Sequence, residues 1–271
     1  MVVAVVGVDV TMTMAEKDHS GHDHGCYHDL LRLSRDWGKP PQLASPANPR
    51  YPYGAITMTT TTAPSASIVQ IAPSQPEEEV LIKTLEVLKN GGVIALPTDT
   101  LYGLACVFGD KGGIERIQAM RGFDIAARPL TFLLPDLGEL PRYAVVSQSA
   151  YNVLRKIFPG PYCAELTAAP NVPLPFVHED RRTIGVRIPG TALCEKLIWA
   201  LGKPLLSATA KSRSGDILTT AVEIKREYGK SLDLILDAGT LSGPPSTVVS
   251  LAGDWVTVLR EGRGPANKLS G

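Results

Sequence analysis

From Glu77 onward, apolar positions fall into two rhythms, one of helical period and one of strand length, separated by glycine and proline. Val80, Leu81, Thr84, Leu85 and Leu88 share one face of a helix that Gly91-Gly92 stops, and Ser74 with Glu77 has the spacing of a capping box. A short apolar run follows over 93–96, and Pro97 closes it as a strand. The same reading gives helices over 114–120, 147–158, 193–201 and 221–228, and strands over 130–134, 162–166, 183–188 and 204–208. The end is strand-rich, with 232–236, 247–251 and 255–259. This alternation predicts an α/β fold: one domain over 76–269, with a twisted, mixed central sheet flanked by helices. There is no internal repeat.

Residues 1–75 follow neither rhythm. The stretch from Thr57 to Pro76 is rich in Thr, Ser, Ala and Pro, so an N-terminal extension, either disordered or a targeting segment, is expected there. Its opening, Met1 to Val8, is apolar but has no basic flank and meets Asp9 at once, which makes a poor secretory signal. The hydroxyl-rich stretch from Thr57 to Ser67 has the character of an organelle transit peptide, whereas Glu16, Asp18, Asp23 and Asp29 speak against one. A cytoplasmic protein is the simpler expectation, and a plastid or mitochondrial one the alternative.

The same tail gathers His19, His22, His24 and His28 around Cys26, four of the five histidines in the chain. Imidazole and thiolate at such spacings bind Zn, Ni or Cu, but no second ligand cluster accompanies them, so adventitious affinity is the plainer reading. No metal site is assigned in the domain. The cysteines, Cys26, Cys106, Cys163 and Cys194, contain no CxxC pair, which points to a reducing compartment. Lys and Arg total 27 against 27 Asp and Glu, so any anion site must be local. No apolar run has bilayer length, and no membrane partner is expected.

The polar positions carry the chemistry. After Pro97 come Thr98, Asp99, Thr100 and Tyr102, two alcohols, a carboxylate and a phenol in a turn suited to a small polar ligand. Basic and hydroxyl residues then recur at predicted strand ends: Arg121 and Arg128, Arg181 and Arg182, Arg187, Thr209 and Lys211, Ser246-Thr247, and Arg260. Guanidinium forks and hydroxyl donors spread charge-assisted bonds over phosphate oxygens, and ligands of open α/β sheets collect at strand ends. A strand-end arginine adds little to a core, so Arg187→Ala is expected to weaken ligand binding and leave folding intact.

Five motifs in order resemble a known family, the YrdC/YciO-type proteins. They are Pro97-Thr98-Asp99-Thr100-Leu101-Tyr102-Gly103-Leu104, Phe158-Pro159-Gly160-Pro161, Thr183-Ile184-Gly185-Val186-Arg187-Ile188-Pro189, Ser246-Thr247-Val248-Val249 and Leu259-Arg260-Glu261-Gly262. The resemblance implies a YrdC-like fold, of the DHBP synthase-like α/β type, with a concave basic face that some members present to double-stranded RNA. It also implies an activity, synthesis of threonylcarbamoyl-AMP and pyrophosphate from L-threonine, bicarbonate and ATP, for the t6A modification of tRNA. In that chemistry a carbamate oxygen attacks the α-phosphorus, and the protein supplies positioning and charge, with Mg2+ on the triphosphate. By the same resemblance Thr98, Thr100 and Tyr102 would contact threonine or its carbamate. Arg121, Arg128, Arg187, Thr209, Lys211, Ser246, Thr247 and Arg260 would serve the nucleotide and its phosphates.

The chain also departs from the synthase pattern. A Lys-x-Arg pair of the synthases is replaced by Arg121-Gly122-Phe123, a Ser-x-Asn pair by Thr209-Ala210-Lys211, and a threonine common after the proline-glycine-proline motif by Cys163. Phenylalanine cannot bind phosphate. These departures resemble the YciO branch and leave three readings: a synthase-like nucleotidyltransferase with altered phosphate ligands, a double-stranded RNA or tRNA-binding module without efficient catalysis, or a pocket holding a nucleotide as a regulatory ligand.

Overall fold

The computed structural model describes residues 65–122, 129–253 and 255–269. All lie in the second of two units into which the chain divides, Met1–Thr59 and Thr60–Gly271. The elements run β1 (Ser67–Gln70), α1 (Glu78–Lys89), β2 (Ile94–Pro97), β3 (Tyr102–Val107), α2 (Lys111–Arg121), β4 (Thr131–Leu133), β5 (Ala144–Val145) and α3 (Gln148–Ile157). They continue with β6 (Tyr162–Ala168), β7 (Thr183–Arg187), α4 (Ala192–Leu201), β8 (Leu205–Thr209), α5 (Ala221–Tyr228), β9 (Leu234–Asp237), β10 (Thr247–Ser250) and β11 (Thr257–Arg260).

Among the described residues the strands form one mixed sheet in the order β1-β9-β2-β3-β8-β4-β7-β6-β10-β11, with β5 paired to β6. β1 and β2 flank β9 in parallel, β4 runs parallel to β7, and β6 parallel to β10. The β2–β3, β3–β8, β4–β8, β6–β7 and β10–β11 pairs are antiparallel. The expected mixed α/β sheet is therefore present.

Side chains alternate across a strand, and here the alternation sorts them into two cores. Leu104, Phe132, Ala164, Val186, Leu206 and Val249 face one side with residues of α2, α3 and α5. Ile94, Leu96, Ala105, Leu133, Leu205 and Leu234 face the other with Val80 and Leu88 of α1 and Leu193, Leu197 and Ile198 of α4.

Several expectations are corrected. Ser74 caps nothing: the N-cap of α1 is Glu77, with no side-chain bond, and the reciprocal capping box stands at Thr220 and Glu223 of α5. β1 lies before the expected boundary at residue 76, because Ser67–Gln70 finds backbone partners on β9 that no local pattern reveals. β3 stands where a continuing polar turn is expected. Its residues Tyr102–Cys106 are buried, so the chain turns within four residues and re-enters the sheet.

Candidate functional site

One half of a sheet face is left bare by α1 and α4, and there the strands change character. β8 goes from Leu205 to Ser207 and Thr209, β4 from Leu133 back to Thr131, and β3 from Ala105 back to Gly103, each step of two keeping the same face. A cavity of about 300 Å³ lies over this floor, with Thr131, Cys163, Glu165, Thr183, Gly185, Ser207 and Thr209 among its lining. A Cβ on Gly103 would come within 2.5 Å of Ser207 Oγ, and one on Gly185 within 3.3 Å of Cys163 Sγ, so two glycines keep the floor open. Burial pushes the Cys163 thiol pKa up, although Arg187 and Arg260 pull the other way, which leaves a neutral thiol in the floor.

The charged wall comes from far apart in sequence. Arg187, at the end of β7, donates from Nη2 to Asp99 Oδ1 at 2.7 Å and from Nη1 to Thr100 Oγ1 at 3.2 Å. Thr100 Oγ1 is in turn 3.4 Å from Ser246 Oγ. Arg260, at the end of β11, donates from Nη2 to the Ser246 carbonyl at 2.9 Å. A side chain on Gly262 would overlap the Pro245 carbonyl, so the glycine of the Leu-Arg-Glu-Gly motif lets this strand end lie against Ser246. Thr100, Arg187, Ser246 and Arg260 thus line one cavity. Arg187 and Asp99 expose only 12% and 13% of their side chains, and Arg187 Nε and Asp99 Oδ2 have no hydrogen-bond partner. The expectation that Arg187 is peripheral to folding is corrected, since a pair this buried is costly to break.

Other predicted residues have different places. Thr98 borders the cavity, but its hydroxyl donates to the Leu101 carbonyl at 2.6 Å and accepts from the Thr100 and Leu101 amides, so it builds the turn. Tyr102 is also among the cavity's lining, but its side chain packs in the core on the opposite side of the sheet from Gly103. Its hydroxyl donates to the Gly239 carbonyl at 2.8 Å and accepts from the Ala238 amide at 2.9 Å, which uses its one proton within the fold. Burial pushes its pKa up to about 12. Thr247 is fully buried, bonded to the Gly264 carbonyl and the Gly262 amide, and it locks the segment after β11 rather than facing a ligand.

Thr209 lines the cavity, and its carbonyl accepts from Arg121 Nη1 at 2.6 Å. Lys211 lies outside the lining, in a bridge with Ile217. Arg128, Phe123 and the tail residues His19, His22, His24 and His28 are outside the described residues. The proline-glycine-proline motif is a turn with a cis Phe158-Pro159 bond, whose Gly160 amide donates to the Ile188 carbonyl. Reading by local segments missed Glu165, His178, Thr131 and Ser207 as lining. For Glu165, Thr131 and Ser207 the signal was period-two alternation of hydroxyl or charge with apolar residues inside strands; His178, in the turn before β7, carried none.

Among the described residues, no group of three or more His, Cys, Asp or Glu is placed to hold a metal ion, and no helix is long and apolar enough to cross a membrane. Cys106, Cys163 and Cys194 are free thiols.

The Sua5/YciO/YrdC domain family, described as "Telomere recombination", matches residues 86–262. The Escherichia coli (strain K12) protein YciO is 36% identical over 196 residues, covering 72% of this chain and 94% of its own. Its crystal structure superposes with a TM-score of 0.71 at 33% identity, over 75% of this chain and 99% of the other. The threonylcarbamoyl-AMP synthase of Nitrosococcus oceani is 32% identical over 161 residues, 58% of this chain and 86% of that one. P. abyssi Sua5, solved in complex with L-threonine, shares the fold with a TM-score of 0.67 at 24% identity, over 75% of this chain and 60% of its own. With five ordered motifs, the mixed sheet and these matches in agreement, the chain belongs to the Sua5/YciO/YrdC family.

Proposed function

We propose that the cavity is an adenylate-forming site, joining L-threonine, bicarbonate and ATP into threonylcarbamoyl-AMP and releasing pyrophosphate, on the route to t6A in tRNA. One observation carries this reading: Thr100, Arg187, Ser246 and Arg260, drawn from four separate segments, converge on a single hydroxyl-floored cavity. Thr100 serves the threonine or carbamate portion. Arg187, Ser246, Arg260 and Thr209 serve the nucleotide and its α-phosphate. The reaction asks for positioning and charge neutralisation rather than a protein nucleophile, and a set of guanidinium and hydroxyl donors held by buried contacts supplies both.

Glu165 and Asp99, the carboxylates of this region, are each paired with an arginine. Magnesium enters on the triphosphate as part of the MgATP substrate, which matches its preference for few carboxylates plus phosphate oxygens. The decisive experiment supplies ATP, magnesium, bicarbonate and labelled threonine and follows threonine-dependent pyrophosphate. Release no faster than in a protein-free blank removes the reading.

A second reading, RNA binding without chemistry, draws on the mouth of the cavity, where Arg181 is half exposed and Arg260 exposed. An affinity for tRNA whose salt slope shrinks by about one in Arg181→Ala supports it.

A further inference from the structure

We propose that Arg181 is a second anion-binding residue of the cavity, receiving the diphosphate portion of a nucleotide, with Glu165 as the counter-ion it leaves on binding. This rests on the nucleotide reading above. Arg181 Nη1 lies 2.9 Å from Glu165 Oε2, and both residues line the cavity. The two partners are unequal: Glu165 exposes 13% of its side chain and Arg181 49%. The carboxylate is fixed in the floor of β6, while half of the arginine faces open cavity or solvent. A diphosphate carries more charge than one carboxylate and accepts from a guanidinium fork in the same geometry, so it competes with Glu165 for Arg181, against the cost of leaving that carboxylate unpaired.

The backbone beneath Arg181 is built. The His178 amide donates to the Thr183 carbonyl at 2.8 Å and the Arg182 amide to the His178 carbonyl at 2.9 Å. Together they hold Arg182 at φ 54°, the one positive φ at a non-glycine position among the described residues. Side chains other than glycine enter that region at a cost, and such residues gather at ligand sites. The Arg181 amide also points to His178 Nδ1 at 3.4 Å, and His178 lines the cavity too.

Position explains why a second anion site belongs here. β4 and β7 are parallel neighbours, so Pro129 before β4 and the 178–183 turn before β7 emerge at one edge of the sheet. β8 is antiparallel to β4, and its last residue Thr209, whose carbonyl holds Arg121, ends at that same edge. Arg121 and Arg181 are therefore carried at the same end of the sheet. Along β7, Arg187 and Thr183 are four residues apart, about 13 Å. The backbones that carry Arg187 and Arg181 thus stand at opposite ends of β7.

The test is calorimetry on the full chain with inorganic pyrophosphate, ATP and AMP. Arg181→Ala is expected to weaken pyrophosphate and ATP by about tenfold to a hundredfold, the range of a lost charge-assisted contact, and AMP by less than about twofold. Retained AMP binding shows that the variant is folded. Glu165→Gln is expected to tighten pyrophosphate, and the gain to shrink when Arg181→Ala is added, because it arrives through the released guanidinium. Wild-type affinity of Arg181→Ala for pyrophosphate and ATP overturns the role of Arg181 and leaves the nucleotide reading standing. Wild-type protein that binds pyrophosphate through Arg181 but neither ATP nor AMP overturns the nucleotide reading and leaves the anion site. Binding of none of the three overturns both.

Discussion

The two halves of one sheet face make an instructive contrast. Under α1 and α4 the strands present Ala105, Leu133 and Leu205, and a few residues along the same strands they present Gly103, Thr131, Ser207 and Thr209. Backbone pairing is continuous through the change. What differs is cover. Where a helix packs, leaving an apolar side chain out would forfeit burial; where none packs, hydroxyls and glycines stay wet and available to a ligand. A binding surface therefore costs this fold little, being the part of a strong sheet that the helices leave open.

The contrast breaks most visibly at its border, where Arg187 extends into the open half yet is buried with Asp99. Arg187→Ala is expected to cost about 3–5 kcal/mol, because it strands a buried carboxylate. Urea unfolding reads this directly, and an unchanged midpoint would show the pair to be dispensable. In the covered half, Leu205→Ala should cost about 2–5 kcal/mol through the cavity left beneath α4. The matched change two residues along, Ser207→Ala, deletes one hydroxyl of a buried residue and no methylene, so by the same measurement it should cost about 1 kcal/mol or less. Equal costs at the two positions would abolish the distinction between the halves.

In the open half, Arg260→Ala should lower threonine-dependent pyrophosphate release by about tenfold to a hundredfold, the value of one charge-assisted contact. Its thermal midpoint should move little.

Tyr102 tests the opposite face. Its folded pKa of about 12 lies above the ordinary 10.0, so the fold favours the protonated phenol. That contribution is complete below pH 10 and is lost as pH rises toward 12. Tyr102→Phe should flatten the stability profile across this window; a profile as steep as that of the wild type assigns the loss to other groups. The smallest effect is expected at Lys211, outside the cavity lining, where Lys211→Ala should change pyrophosphate release by less than about twofold.

Much of this was legible along the chain. Helices with strong one-sided stripes and clear stops, such as α3 behind its Ser147 cap, were readable because their periodicity is local. The Thr100, Arg187, Ser246 and Arg260 set was legible as motifs. Less legible were β1 and β3: the first is defined by pairing to β9, and the second begins with a tyrosine that looks like a turn residue until its register is known. Thr98, Tyr102 and Thr247 have the chemistry of ligand contacts, yet their hydroxyls are spent on Leu101, Gly239 and Gly264. No sequence rule says whether a hydroxyl will meet a carbonyl of its own chain first.

The alternation of helix and strand, the mixed α/β class and the family are written along the chain, because periodicity and ordered motifs are properties of neighbours in sequence. Tertiary structure alone decided which half of a sheet face stays uncovered, which of two facing sides Tyr102 and Gly103 take, and that Arg181 and Glu165 meet within the cavity. The physical reason is that cover and side-chain partnership depend on helices and strands far away in sequence. A one-residue change of register moves a side chain from cavity to core without altering a single letter.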